Sequence, residues 1–311
     1  MKIQQAVSTY VAFKQSLGMR FVTQARLLKS FSKSIGDIDV DRIGPQSVRA
    51  FLDGNGKMTR SWHCKFGTLT GFYGFCLARG YVRSVPLPTS EPRCPPTFTP
   101  YIYSQDEIRR LLQAAASRAC RRIDAPTSRT LLLLLYAAGL RISEALNLDV
   151  ADVDLEDRVL HVRDSKFYKT RLVPMGNDLT QVLREYMRLR HKRSPLHPDT
   201  PFLLTSRGER VSRAGAEQAF LQMRSQAKVL RHDGARYQPR LHDLRHTAAV
   251  TRLVRWYREG VDVQRLLPQL ATYLGHVDIA GTQCYLSMTP ELLQQASVRF
   301  EQFVFGEAGH A

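Results

Sequence analysis

Apolar residues recur at three- and four-residue steps from Val7 to about Tyr81, the spacing of helices that bury one face. Tyr10, Phe13 and Leu17 make a first stripe, closed by Gly18, and Leu27, Leu28, Phe31 and Ile35 make a second. Ile43 to Leu52 reads as a turn entering a third helix, with Pro45 in the first turn, where its missing N–H leaves no bond unmade. A fourth helix spans Ser61 to Tyr81, carries Trp62, Phe66, Leu69, Phe72, Phe75 and Leu77, and ends at Gly80. The pattern predicts a helical domain over residues 1–84. Val85 to Pro100 then holds six prolines, which neither a helix nor a central strand accommodates, so residues 85–100 are expected to be an extended linker.

The second domain, 101–311, opens at Ser104 with Glu107 three residues on, a capping box leading into Ile108, Leu111 and Leu112. Thr130 to Ala138 is apolar all round, which predicts a helix buried in the core. Gly139 ends it, Arg141 follows on the turn, and a short helix starts at Ser143 and runs through Leu148. Arg158–Val162 and Thr170–Met175 are rich in Val and Leu and predict a β-hairpin, whose tip carries Lys166 and Lys169. Helices are expected at 178–191, 213–229, 244–258 and 262–274. A last one, from Pro290, puts Leu293, Ala296, Phe300 and Phe303 on one face. The fold class expected is mainly α with a small antiparallel β-sheet, in two domains.

Composition narrows the partner. The 311 residues carry 45 Lys and Arg against 28 Asp and Glu, a net charge of +17, which suits a polyanion. The first hundred residues hold 14 of those bases against 5 acids, so both halves can grip a phosphate backbone. Lys57, Arg60 and Lys65, interleaved with the aromatic core positions, are candidates for a DNA-facing surface in the first domain. Five scattered cysteines without a C-x-x-C pair argue against a disulfide framework or a zinc knuckle and for a reducing cytoplasm. The N-terminus lacks the pattern of a signal peptide, and the longest apolar run, Leu131 to Leu140, is too short to span a bilayer, so no membrane association is expected.

His242 and Arg245 stand three apart in Arg-Leu-His-Asp-Leu-Arg-His-Thr, so they face one side of a helical first turn. A guanidinium that grips two oxygens beside an imidazole that moves a proton suits a phosphate. His242 and His246, at i and i+4, could instead be read as metal ligands. The Glu of a zincin motif is missing, however, and Arg245 between them repels a cation, so neither metal nor cofactor is expected. Arg141 as a helix cap, Tyr285 as a half-buried tyrosine, and Glu144 and His246 as structural residues are the plain alternatives.

Four motifs in order, Ala-Gly-Leu-Arg141-Ile-Ser-Glu, His242-Asp-Leu-Arg245-His-Thr, Leu-Gly-His276 and Thr-Gln-Cys-Tyr285, resemble those of the tyrosine recombinase (phage integrase) family. The resemblance covers most of the chain, and the long segment before His276 resembles, less closely, a subgroup carried on mobile elements. It implies a C-shaped clamp of a core-binding and a catalytic domain around double-stranded DNA. It also implies a homotetramer, a dimer of dimers, on two DNA sites, with other recombinases or accessory proteins as further partners. Residue by residue, it implies Tyr285 as nucleophile, Arg141 and Arg245 as cations for the transition state, Lys166 as general acid, and His242 and His276 as phosphate and proton-handling groups. The tail after Tyr285 would dock on a neighbouring protomer or on its own domain. Two departures stand out. The hairpin tip reads Ser165-Lys-Phe-Tyr-Lys169 without the usual glycines, which makes Lys169 a rival acid and a DNA contact, and Pro268 interrupts an unusually long segment before His276.

Overall fold

The computed structural model describes residues 1–54, 60–93, 99–117, 122–163, 170–192, 197–276 and 279–287, with 294, 297, 298 and 301 beyond them. The chain divides into two compact units, Met1–Phe98 and Thr99–Ala311. Among the described residues no helix is long and apolar enough to cross a membrane.

The first unit is built from α1 (Ile3–Ser16), α2 (Val22–Ile35), α3 (Pro45–Asp53) and α4 (Arg60–Ala78). The first helix begins four residues before the expected Val7, because Ile3 is itself buried and its N–H donates to the Ile38 carbonyl. Tyr10, Leu28, Phe31, Trp62, Leu69, Phe72 and Tyr73 form the core. Phe13, Leu17 and Leu77, expected on buried stripes, lie at the surface. Phe13 packs its ring on Phe75 there. Gly71 lets α4 approach α1: a Cβ at that position would fall 2.6 Å from the Tyr10 hydroxyl. Leu87, inside the expected linker, packs on this core.

In the second unit, α5 (Gln105–Ala116) begins with the expected capping box: the Ser104 hydroxyl accepts from the Glu107 N–H and the Glu107 carboxylate from the Ser104 N–H. The buried helix α6 (Ala125–Tyr136) starts five residues earlier than its apolar run. Asp124 caps it and Pro126 occupies its first turn, a polar start signal that an apolar count passes over. Next come α7 (Ile142–Asn147), β1 (Val153–Asp154), β2 (Val159–Val162) and β3 (Arg171–Pro174). The expected hairpin is thus the outer part of a three-stranded antiparallel sheet in order β1-β2-β3, with Leu160 opposite both Val153 and Val173. Helices α8 (Asn177–His191), α9 (Arg213–Gln226), α10 (Asp243–Arg258) and α11 (Val263–Leu274) follow, and then the short α12 (Ala280–Gln283) and a 3₁₀ turn, Cys284–Ser287. The helix α9 stops at Gln226 rather than 229, since Lys228 adopts a left-handed backbone. Pro268 is carried inside α11 without ending it.

One core joins α5, α6 and α7 with the sheet, α8 and α9, around Leu111, Leu135, Leu140, Leu160, Phe202 and Phe220. A second cluster, Ala249, Val250, Leu253, Val263, Leu267, Leu270 and Leu274, joins α10 to α11 and takes in Tyr285. The helix expected from Pro290 falls largely outside the described residues, as do Lys57, Lys166 and Lys169.

Candidate active site

The start of α10 is pinned from below. Asp243, wholly buried, accepts from the Arg240 backbone N–H (2.9 Å) and from its guanidinium (2.9 Å). The Thr247 hydroxyl donates to the Asp243 carbonyl (2.9 Å) and accepts from the Tyr103 N–H (3.0 Å), while the Tyr103 hydroxyl donates to the Arg240 carbonyl (2.8 Å). This lock sets the first turn, so His242 and Arg245 hold fixed directions.

Around that turn three arginines converge on one carboxylate. Glu144, with its side chain 4% exposed, accepts from the Arg141 backbone N–H (2.8 Å) and guanidinium (2.7 Å). It also takes both Nη atoms of Arg171 at 3.0 and 2.8 Å, a bidentate pair, and has Arg245 Nη1 at 3.8 Å. Burial alone would raise the Glu144 pKa, but the Arg171 and Arg141 hydrogen bonds and charges hold it at about 2. The same arginines meet a second time, on the C-terminus of α11. Three successive carbonyls, Tyr273, Leu274 and Gly275, accept from Arg171 (2.9 Å), Arg245 and Arg141 (2.6 Å) respectively. These are carbonyls that a helix end leaves without internal partners, at the negative pole of its dipole. The motif Leu-Gly-His is therefore the docking point for the guanidinium cluster. Gly275 makes it possible with φ +67°, a left-handed cap that turns the chain away and sends the His276 N–H back to the Ala271 carbonyl.

Arg245 Nη1 also donates to the Gly139 carbonyl (2.6 Å) at the end of α6. Its side chain is 2% exposed, and burial, then Arg141, lowers its pKa to about 10, so it stays charged at neutral pH. Arg141 is the more open of the two, 23% exposed. It sits at the N-cap of α7 rather than at a helix C-terminus.

Tyr285 stands on the 3₁₀ turn after α12, and only 2% of it is exposed. His276 packs its ring on the Tyr285 ring with centroids 6.0 Å apart, and its Nδ1 lies 2.6 Å from the buried Thr282 hydroxyl. His246 Nδ1 lies 3.1 Å from the Tyr285 hydroxyl oxygen. The His242 ring meets His246 edge-on at 4.9 Å. Burial raises the Tyr285 phenol to about 12, against the pull of Arg245 and Arg141. Desolvation thus outweighs the pull of the two cations, and the phenol stays protonated at neutral pH. Burial, then the neighbouring His242, Arg245, Arg240 and His276, pushes His246 down to about 3, and burial with Arg245 lowers His242 as well.

Five of the six expected catalytic side chains, Arg141, His242, Arg245, His276 and Tyr285, therefore meet in one cluster. Lys166 and Lys169 lie outside the described residues. In the first unit Arg60 is exposed at the start of α4. Lys65 is turned inward: its ammonium donates to the Phe51 carbonyl (2.6 Å) and to the Leu52 carbonyl (3.4 Å), capping α3, and stands 4.7 Å from the Phe51 ring centroid. Arg171, in a strand that stands out only for its Val and Leu, carries no sequence signal of its place in the cluster. Glu144 has the structural part expected of it, holding Arg141 and Arg171, whereas His246, expected only to be structural, faces the Tyr285 hydroxyl.

The sequence profile of the phage integrase family matches residues 102–291. A Sinorhizobium fredii protein named as an integrase/recombinase, y4rB, is 36% identical over 305 residues, covering 96% of this chain and 97% of that protein. The tyrosine recombinase XerD of Mycobacterium leprae is 35% identical over 238 residues, 72% of this chain and 68% of that one. Among solved structures, the Tn1549 transposon integrase in complex with transposon right-end DNA superposes with a TM-score of 0.72 at 16% identity, covering 98% of this chain and all of that one. Matched over residues 102–291 by the family profile and over nearly its whole length by such a relative, the chain belongs to the phage integrase family, the tyrosine-type enzymes that break and rejoin DNA.

Proposed function

We propose that the protein is a site-specific recombinase that cuts and rejoins DNA through a covalent 3′-phosphotyrosine at Tyr285, using neither metal nor nucleotide. The observation that carries this reading is the meeting of a buried phenol with the Arg245 and Arg141 charges, drawn from three separate motifs. In this reading the Tyr285 oxygen attacks phosphorus, the bond to the 5′-oxygen breaks, and the bond energy is stored in the new ester, so that rejoining needs no external energy source. Arg141 and Arg245 face the charge that gathers on the non-bridging oxygens. Both are already held rigid by Glu144 and the end of α11, which limits reorganisation during the reaction. His242 and His276 donate to the phosphate, and Lys166, or Lys169 as its rival, protonates the departing oxygen. The partner is double-stranded DNA. The assembly is a homotetramer on two sites, a reading supported by the lambda integrase tetramer bound to a Holliday junction, which shares this fold at a TM-score of 0.65 and 18% identity. Other recombinases or accessory proteins remain part of this proposal.

The test uses nicked duplexes tiled from the DNA that flanks the gene. The wild-type chain is expected to form a protein–DNA band that survives denaturation, and Tyr285→Phe to lose that band while still binding the duplex. A band of equal strength in the variant, or none in the wild type on any duplex, would rule the reading out.

A further inference from the structure

We infer that His246 is a catalytic residue of this site, the group that orients the Tyr285 hydroxyl and takes its proton as the oxygen attacks. The inference rests on the reading of Tyr285 as nucleophile. Its Nδ1 is 3.1 Å from the phenolic oxygen, whereas His276, the histidine nearest Tyr285 in sequence, points its Nδ1 at Thr282 and offers the tyrosine a ring face. Arg245 and Arg141 carry no acceptor, so they draw on the phenolic oxygen through their charge and leave the O–H proton to find an acceptor. Among the described neighbours, the imidazole of His246 is positioned to be that acceptor.

Acceptance requires a neutral ring with the proton on Nε2. Burial first, and then the groups facing it, keep His246 neutral: His242 at the cap of its helix, Arg245 on that helix, Arg240 on the turn before it, and His276 from the segment after α11. A phosphate docked on the arginines brings negative charge that offsets those cations. As the O–P bond forms, the phenolic oxygen gains positive character and its proton becomes strongly acidic, so even a weak base can take it. The step balances: the phenolic oxygen bonds to phosphorus, the phenolic proton moves to Nδ1, the P–O5′ bond breaks, and the 5′-oxygen receives a proton from the lysine acid. On rejoining, His246 returns the proton to the departing tyrosine.

The experiment compares single-turnover covalent-complex formation for wild type, His246→Phe and His246→Asn on one nicked duplex, with duplex affinity as the check on folding. Phe keeps the ring and removes the acceptor, and the rate is expected to fall roughly 10²- to 10³-fold. Asn places an oxygen close to the Nδ1 position, so it should recover at least about tenfold over Phe, yet it cannot take the proton. The ratio of the Asn variant's rate to the wild-type rate should therefore climb with pH, by about tenfold per unit between pH 7 and 9, as phenolate replaces the lost base. Residues that merely pack there would leave that ratio flat. A Phe variant within about threefold of wild type, or an Asn variant no faster than Phe with a flat ratio, overturns the assignment. Should the Phe variant fail to bind DNA, His246→Gln replaces it: its oxygen sits further out, and rates equal to those of Asn overturn the assignment equally. A wild-type chain that never links to DNA sinks the functional reading, and this role with it.

Discussion

At Glu144 a single carboxylate is shared by three guanidiniums, those of Arg141, Arg171 and Arg245. Removing one partner of a buried ion pair leaves the other uncompensated, at a cost of about 3–5 kcal/mol. Glu144→Gln is accordingly expected to lose roughly that much in urea unfolding of the full chain, and to slow covalent-complex formation by freeing Arg141. The pH dependence follows from the depressed pKa. Glu144 is held at about 2 against an ordinary 4.5, so its stabilisation is complete above pH 4.5 and is lost as pH falls towards 2. The stability gap between wild type and the Gln variant should close over that window, and a constant gap would contradict the ion-pair account. His246 acts in the same direction at higher pH: held neutral down to about 3 against an ordinary 6.5, it is neutral folded or unfolded above pH 6.5, and it costs stability as pH falls below that, because the unfolded chain takes up a proton the fold excludes.

At the scale of elements, the C-terminus of α11 organises the cluster more than any strand or loop does. Its last carbonyls accept from Arg171, Arg245 and Arg141, and this places guanidiniums from β3, α10 and the cap of α7 around one point. Gly275 is the residue that cannot be exchanged. A Cβ there would stand 2.7 Å from Arg171 Nη1, a side chain that Glu144 holds in a bidentate grip and that cannot swing away cheaply, and the left-handed φ adds its own strain. Gly275→Ala is expected to cost about 1–2 kcal/mol through the backbone alone. It should reduce strand cleavage at least about tenfold through the displaced arginines, if the transition state feels as little as 1.4 kcal/mol of their misplacement. Cleavage at the wild-type rate would show that the arginines find their places without this cap.

For the molecule as a whole, the surplus of +17 makes DNA binding a salt-dependent event. A protein that neutralises six to ten phosphates loses roughly 10³–10⁵ in affinity between 50 and 200 mM salt. Anisotropy titrations on a duplex of arbitrary sequence should show a loss of that order, and a flat salt response would remove the electrostatic argument. Because both units carry excess base, charge-removing substitutions in either should lower the slope. Arg60, exposed at the start of α4, is a cleaner target for this than Lys65, whose ammonium already caps α3.

The helical character of both units, the capping box at Ser104 and the choice of Arg141, His242, Arg245, His276 and Tyr285 as candidate residues are legible in the order of residues, because periodicity, caps and family motifs are local patterns. Element limits were read less well where a polar start such as Asp124-Ala-Pro lay outside the apolar run. The partners of those side chains are out of reach for a different reason. That Arg171 shares Glu144 with Arg141, that the arginines end on three carbonyls of α11, and that the Tyr285 hydroxyl faces His246 rather than His276 all depend on contacts between residues far apart in the chain. Such contacts, and the burial that raises the phenol and silences the imidazoles, arise only when separate helices pack and water is excluded between them.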